Sequence, residues 1–418
     1  MKFQALLKIL GPGLLYAGAA VGVSHLVQST RAGANYGFDL LLILILANVI
    51  KYPFFEFGPR YAAATGKNLI DGYRQVGLWA VVLFALLTIG TMFTIQAAVT
   101  IVTAGLIGNV IGTTLSPVWI SGIILVITMV VLMIGKYSTL DKLIKYVIVI
   151  LAVSTLIALV AAMGKGSHAA EEFAMRFSWS DSADIFFLIA FVGWMPAPID
   201  VTIWQSLWTN AKYESLKRKP RIKDVMLDFR IGYIGTALLA VCFLGLGAFV
   251  IYGTGQSLSP SGTVFADQLI SMYTSSIGQW AYIFIAIAAI TTMFSTTMTC
   301  LDAYPRVMIS TTTKLFPGLE KKRKNGKRET WIWLVVVVAG ALTMMSLLSS
   351  TMRTMVDIAT TLSFITAPLL AVLNYRVVTD SHVPKKFRPN KGLRIYSWIG
   401  IIFLTGFTIF YLIWNVIQ

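Results

Sequence analysis

Charge is what this sequence has least of. Only 12% of its 418 residues are Asp, Glu, Lys or Arg, about half the share carried by a soluble globular chain. That is too little to wet a protein this size, so a soluble enzyme of two or three domains is excluded. Cysteine is nearly absent: Cys242 and Cys300 lie in apolar stretches and read as packing residues, which excludes a disulfide scaffold. With three histidines and those two cysteines, neither a closed metal-ligand set nor a nucleophile–base pair can be assembled. No enzyme activity and no cofactor are therefore expected. The 13 prolines are scattered, which excludes collagen-like repeats and proline-rich disorder.

What is present is apolar sequence in long runs. Hydrophobic residues make up 57% of the chain and the mean hydropathy is +0.76. A transmembrane helix needs about 20 consecutive, mostly apolar residues. Runs of that kind lie near 8–30, 38–60, 78–107, 117–136, 141–163, 183–209, 231–254, 279–305, 331–350, 355–377 and 394–416, predicting an all-α integral membrane protein of 11 spans. No cleavable signal peptide is evident, so the first span is expected to stay.

The basic residues orient these spans, because Lys and Arg are retained on the cytoplasmic side. With the N-terminus inside, 29 of the 34 Lys and Arg residues fall in cytoplasmic segments. Arg31, Lys165, Arg176 and Arg353 fall outside, and Lys51 lies within the second span. The expected topology is N-terminus cytoplasmic and C-terminus outside, in a multi-pass protein of a prokaryotic cell (inner) membrane. The formal charge of +16 is thereby explained by anchoring at the bilayer, as in Lys321-Lys322-Arg323-Lys324, with no nucleic-acid partner.

Two spans are not ordinary. The first runs Gly11-Pro12-Gly13 through Gly18, Gly22 and Ser24 to His25, and glycine costs a helix up to about 1 kcal/mol per residue. The sixth carries Gly193-Trp194-Met195-Pro196-Ala197-Pro198-Ile199-Asp200, where two prolines remove backbone donors and clash with the preceding turn. Breaks at corresponding positions of two halves mark transporters built from inverted repeats, with the substrate near the bilayer midplane. The chain therefore reads as one transporter domain over 1–418: repeat one about 8–163, repeat two about 183–377, and an extra helix about 394–416. Gly and Pro also occur as plain kinks between packed membrane helices, but position as well as composition favours paired breaks.

Gly11-Pro12, Ala32-Gly33-Ala34, Tyr36-Gly37, Ala47-Asn48 and Ala64-Thr65-Gly66-Lys67-Asn68-Leu69 resemble the natural-resistance-associated macrophage protein (Nramp) family. The match is ungapped over about the first 70 residues and recurs at Met195-Pro196. The resemblance implies a leucine-transporter-type fold and proton-coupled symport of divalent metal ions. It also exposes departures. Where the family carries Asp-Pro-Gly-Asn, whose Asp and Asn bind metal, this chain has Gly22-Val23-Ser24-His25. Where the family reads Met-Pro-His, this chain reads Met195-Pro196-Ala197. Residues 78–107 lack the family's third-span carboxylates and offer Gln96 instead.

The expected substrate contacts are Gly22, Ser24, His25, Gln96, Trp194, Met195, Ala197 and Asp200, with His25, Met195 and Asp200 as candidate metal ligands. Asp200 leads, because an ionisable group inside a bilayer costs several kcal/mol and is functional by default. Its competing role is an N-cap on the helix that restarts after Pro198. Lys51, Glu56, Arg60 and Asp302 form a candidate charge network for coupling. Glu56 and Arg60, four apart on one helix face, are expected to lock together, whereas Lys51 lies too deep for easy snorkelling and would oppose cation entry. The flanking hydroxyls Thr296, Thr297, Thr299, Thr360, Thr361 and Ser363 read as interhelical hydrogen-bonding groups. Beside metal transport stand a small organic cargo, an amino acid or amine, walled by Trp194 and Trp204, and a non-transporting scaffold.

Overall fold

The computed structural model describes residues 10–134, 137–166, 174–217, 221–318, 326–348 and 351–417. The start of the first predicted span, the ends of the fourth and ninth, and the Lys321–Lys324 cluster lie outside these residues. Among the described residues there are helices and no strands.

We number the helices α1 Pro12–Ala20, α2 Thr30–Tyr36, α3 Leu41–Thr65, α4 Leu69–Val76, α5 Leu78–Ile111, α6 Pro117–Ile134, α7 Tyr137–Lys165, α8 Ser182–Gly193, α9 Val201–Ser215, α10 Ile222–Val250, α11 Gly262–Ile277, α12 Tyr282–Leu315, α13 Gly326–Leu347, α14 Met352–Thr379 and α15 Lys391–Ile417. Among the described residues eight stretches are long and apolar enough to cross a membrane, namely α3, α5, α6, α10, α12 with the short turn before it, α13, α14 and α15. The other spans of the eleven-span reading are α7 and two interrupted helices, α1–α2 and α8–α9.

The helices at the centre of the bundle are the broken ones. Helix α10 packs along both α1 and α2, α12 packs on α1 and α5, and α14 packs on α5 and α8. Close approach is built into α1. A Cβ on Gly13 would lie 2.1 Å from the backbone oxygen of Asp228 on α10, so only glycine lets the two backbones touch there. The periphery faces outward with residues such as Leu42, Trp119, Leu238, Ile283 and Ile402 exposed, as expected of a surface solvated by lipid.

Two helices fall outside the eleven-span reading. Helix α4 is too short to register in hydropathy, but Asn68 and Asp71 close a capping box over its first turn, which satisfies two otherwise orphaned amides. Helix α11, between α10 and α12, packs against α5 and α7. Helix α10 also begins nine residues before its predicted start at 231, because Asp224, Asp228 and Arg230 dilute the hydropathy of a turn that is nevertheless helical.

Candidate functional site

The two interruptions differ in form. In the first span the helix stops at Ala20 and Val23 is already helical ahead of the turn that begins at Ser24, so the unwound stretch is Val21-Gly22. Ser24 and His25, expected within the break, instead open a π-helical turn over Ser24–Ser29 that leads into α2. The gap is short because Ser24 Oγ donates to the Ala20 carbonyl at 2.5 Å and the Gly22 amide reaches the same carbonyl at 2.9 Å, bridging the freed backbone. In the sixth span α8 ends at Gly193 and α9 starts at Val201. The two prolines leave Trp194 through Ala197 outside any helical ladder.

The breaks face each other across a small cavity of about 20 Å³. The first break contributes Ala19, Ala20, Val23 and Ser24, the second Trp194, Ala197, Pro198, Val201 and Trp204, and Thr296 and Cys300 of α12 close the wall. Gly22 lies against Thr296, where a Cβ would be 2.6 Å from its Oγ1, and that hydroxyl donates to the Gly18 carbonyl at 3.1 Å. Thr296 therefore spans the end of α1 and the cavity.

Not every expected contact lines this cavity. His25 is fully buried with both ring nitrogens engaged. Nδ1 lies 2.7 Å from Ser24 Oγ and Nε2 lies 2.9 Å from the Thr236 carbonyl of α10. A carbonyl only accepts, so Nε2 donates, and the ring joins the first span to α10. The Met195 side chain packs in an apolar cluster with Phe191 and Phe364, away from the cavity lining. Gln96 turns its amide to Thr100 Oγ1 at 3.1 Å and the Thr297 carbonyl at 3.3 Å. The Trp194 indole donates to Ser363 Oγ at 2.7 Å, which fixes that wall to α14. Trp204 stacks edge-on against Tyr304 at 5.1 Å.

Asp200 is different. It is 7% exposed and occupies the N-cap position of α9, yet its side chain makes no capping bond. Neither carboxyl oxygen has a side-chain partner among the described residues, and only the adjacent backbone amides of Asp200 and Val201 approach the carboxylate. It points to a second cavity of about 10 Å³ lined by Thr88 and Thr91 of α5 and Ser363 and Thr366 of α14. Pro198 and Ile95 line both cavities, so Asp200 stands directly behind the first. An orphaned buried carboxylate is costly unless a cation or proton visits it.

The four charged candidates do not form one network among the described residues. Lys51 is fully buried and its Nζ donates to the carbonyls of Val192 at 2.5 Å and Gly193 at 2.9 Å. Glu56 and Arg60 pair with each other, Nε to Oε1 at 2.8 Å, and Arg60 also donates to the Phe387 carbonyl. Asp302 pairs with Arg306 one turn away at 2.8 Å and does not line either cavity.

Two polar clamps were invisible to sequence reasoning. At one face Asp228 of α10 accepts from the Gly11 and Gly13 amides at 2.9 and 2.8 Å, holding the positive end of α1. At the opposite face Arg31 pairs with Asp357 of α14 at 2.6 Å and donates to Gln28 at 2.9 Å, while its guanidinium lies over the Phe187 ring at 4.9 Å. Gln28 in turn reaches Asp357 and Thr360. Arg31 with Asp357 is 326 residues apart in sequence, so only the fold could pair them. Together the clamps tie both halves of the first span to the helices around it.

A helical membrane bundle with two facing broken spans and a small cavity between them is a transporter of the leucine-transporter type. A manganese transporter of Eremococcus coleocola superimposes with a TM-score of 0.67 at 13% identity, covering 97% of this chain and 86% of that one. MhsT in complex with L-phenylalanine superimposes at 0.62 with 15% identity, covering 95% and 98%.

The chain belongs to the natural resistance-associated macrophage protein-like family, whose profile matches residues 13–414. An uncharacterized protein of Pasteurella multocida is 34% identical over 416 residues, 98% of this chain and 92% of its own length. The divalent metal cation transporter MntH of Bacillus subtilis is 30% identical over 84 residues, 18% of this chain and 20% of its own.

Proposed function

We propose that this protein is a secondary active transporter of a divalent metal ion, with proton coupling, in a prokaryotic cell membrane, its N-terminus cytoplasmic and C-terminus outside. The observation that carries the reading is Asp200: a buried carboxylate without a side-chain partner among the described residues, at the second break and behind a cavity that both breaks line. A cation crossing the bilayer needs such a group, because neutral ligands alone leave its charge uncompensated in low dielectric.

The donors around it select the cargo. Ser24, Thr296 and the Asp200 carboxylate offer oxygen, and the carbonyls of the unwound stretches add more. The Met195 thioether faces elsewhere, and no cluster of three His, Cys, Asp or Glu exists among the described residues. Oxygen donors suit hard ions such as Mg²⁺ and Mn²⁺ over soft ones. In this reading His25 positions the first break through Ser24 and α10, and Asp200 takes the ion and exchanges a proton.

An organic cargo fits less well. Trp194 and Trp204 line the cavity, but about 20 Å³ admits a water or an ion and not an amino acid. Calorimetry of the purified protein with Mg²⁺, Mn²⁺, Fe²⁺ and Zn²⁺ tests the reading. Binding is expected, strongest for the hard ions, and weakened in Asp200→Asn. Silence toward all four ions removes the metal reading.

A further inference from the structure

Lys51 is the least explained charge in the molecule. It lies in the middle of α3, completely buried, with no ion-pair partner among the described residues. Burying an ammonium without a counter-ion costs several kcal/mol, so its surroundings must return most of that. They consist of two carbonyls, Val192 and Gly193, and these are the last two residues of α8. The C-terminal carbonyls of a helix lack the regular donor four residues on and carry about half a negative charge; here the Val192 carbonyl accepts a long bond, from the Met195 amide at 3.3 Å. In transporters with broken helices, such an end near the midplane is where a coupling cation is coordinated.

We infer that the Lys51 ammonium is a tethered cation seated at the C-terminal end of α8, in the place a free monovalent cation would otherwise fill. The geometry supports this on three counts. The Nζ contacts are of cation–carbonyl length, the carbonyls come from the end that faces the break, and the opposite side of the same break begins with Asp200. Both half-helix ends of the sixth span are thus matched by the protein's own charge, positive at the end of α8 and negative at the start of α9. The seat is filled in every turnover, so no sodium or potassium ion is needed there. The inference does not rest on the cargo being a metal.

Thermal unfolding of the purified, metal-free protein in detergent tests it. Lys51→Ala vacates the seat, Lys51→Met fills it without charge, and Lys51→Gln keeps a donor without charge. The Lys51→Ala protein is expected to lose stability and to regain it with rising ammonium, methylammonium or potassium chloride, relative to choline chloride at equal ionic strength. Wild type and Lys51→Met should not respond. A folded Lys51→Ala protein indifferent to all three cations overturns the inference. If Lys51→Ala does not fold, Lys51→Gln decides: a midpoint at least about 3 °C below wild type supports a charged seat, and a midpoint equal to wild type shows that a neutral donor suffices and overturns it. The readout involves no divalent ion, so either result is independent of metal binding.

Discussion

The two helix breaks answer the same topological need with opposite chemistry. The first is two residues long and closes on itself: Ser24 and the Gly22 amide bond the Ala20 carbonyl, and His25 is tied at both nitrogens. The second is seven residues long and carries Lys51 at one end and, at the other, Asp200 with no side-chain partner among the described residues. The first break carries no formal charge at Gly22-Val23-Ser24-His25, whereas the second has a carboxylate at Asp200. The first packs closely against Thr296, while in the second two prolines keep the backbone from being repaired.

The sharpest way to break this comparison is to neutralise the second break. Asp200→Asn is expected to weaken divalent-ion binding tenfold or more, about 1.5–3 kcal/mol, without loss of thermal stability, since it removes an unpaired buried charge. Calorimetry and a melting curve on one preparation give both numbers, and unchanged affinity would return the site to the first break.

A bulky residue at the first break should act through packing. Gly22→Val places Cβ 2.6 Å from Thr296 Oγ1 and is expected to cost about 1–3 kcal/mol in unfolding free energy. Adding Thr296→Ala, which removes that atom, should recover part of the loss. A double-mutant cycle by denaturant unfolding measures the coupling, and strict additivity would show that the two residues do not touch.

His25→Ala should lower stability by about 1–3 kcal/mol through the partners it leaves unpaired while changing metal affinity less than about threefold. A larger loss of affinity would make the imidazole a ligand and narrow the contrast between the breaks.

The smallest effect lies far from both. Asp380, in the loop after α14, is held below the ordinary carboxylate range chiefly by the His382 backbone amide, against a smaller opposing effect of burial, and further by the His382 side chain. A lowered folded-state value means its contribution is full above the ordinary range near about pH 4 and is lost as pH falls through the folded value. Asp380→Asn should flatten the acid limb of a stability–pH profile slightly, and an unaltered limb would show that the loop contributes nothing.

Much of the architecture was legible in the residues. The spans follow from apolar runs, the kinship from the Ala64–Leu69 stretch, and the Glu56–Arg60 pair from spacing on one helix face. The positions of both breaks were legible too, because glycine and proline act locally. Their interiors were not. The first break was read as ending at His25, since nothing in Ser24-His25 announces that a π-helical turn will absorb them. Met195 could be aligned with a ligand by its neighbours, but which way its side chain points depends on α14. Asp200 had two readings, cap or site, and the structure shows no capping bond from its side chain.

By itself the sequence determined what solvent this chain lives in, where it crosses, and where its helices must stop, because hydropathy and backbone propensity are properties of short stretches. Tertiary structure alone decided which charge meets which end. Lys51 finds its carbonyls 141 residues away and Arg31 its carboxylate 326 away. In a medium without water the partner of a buried charge is whatever packing brings near.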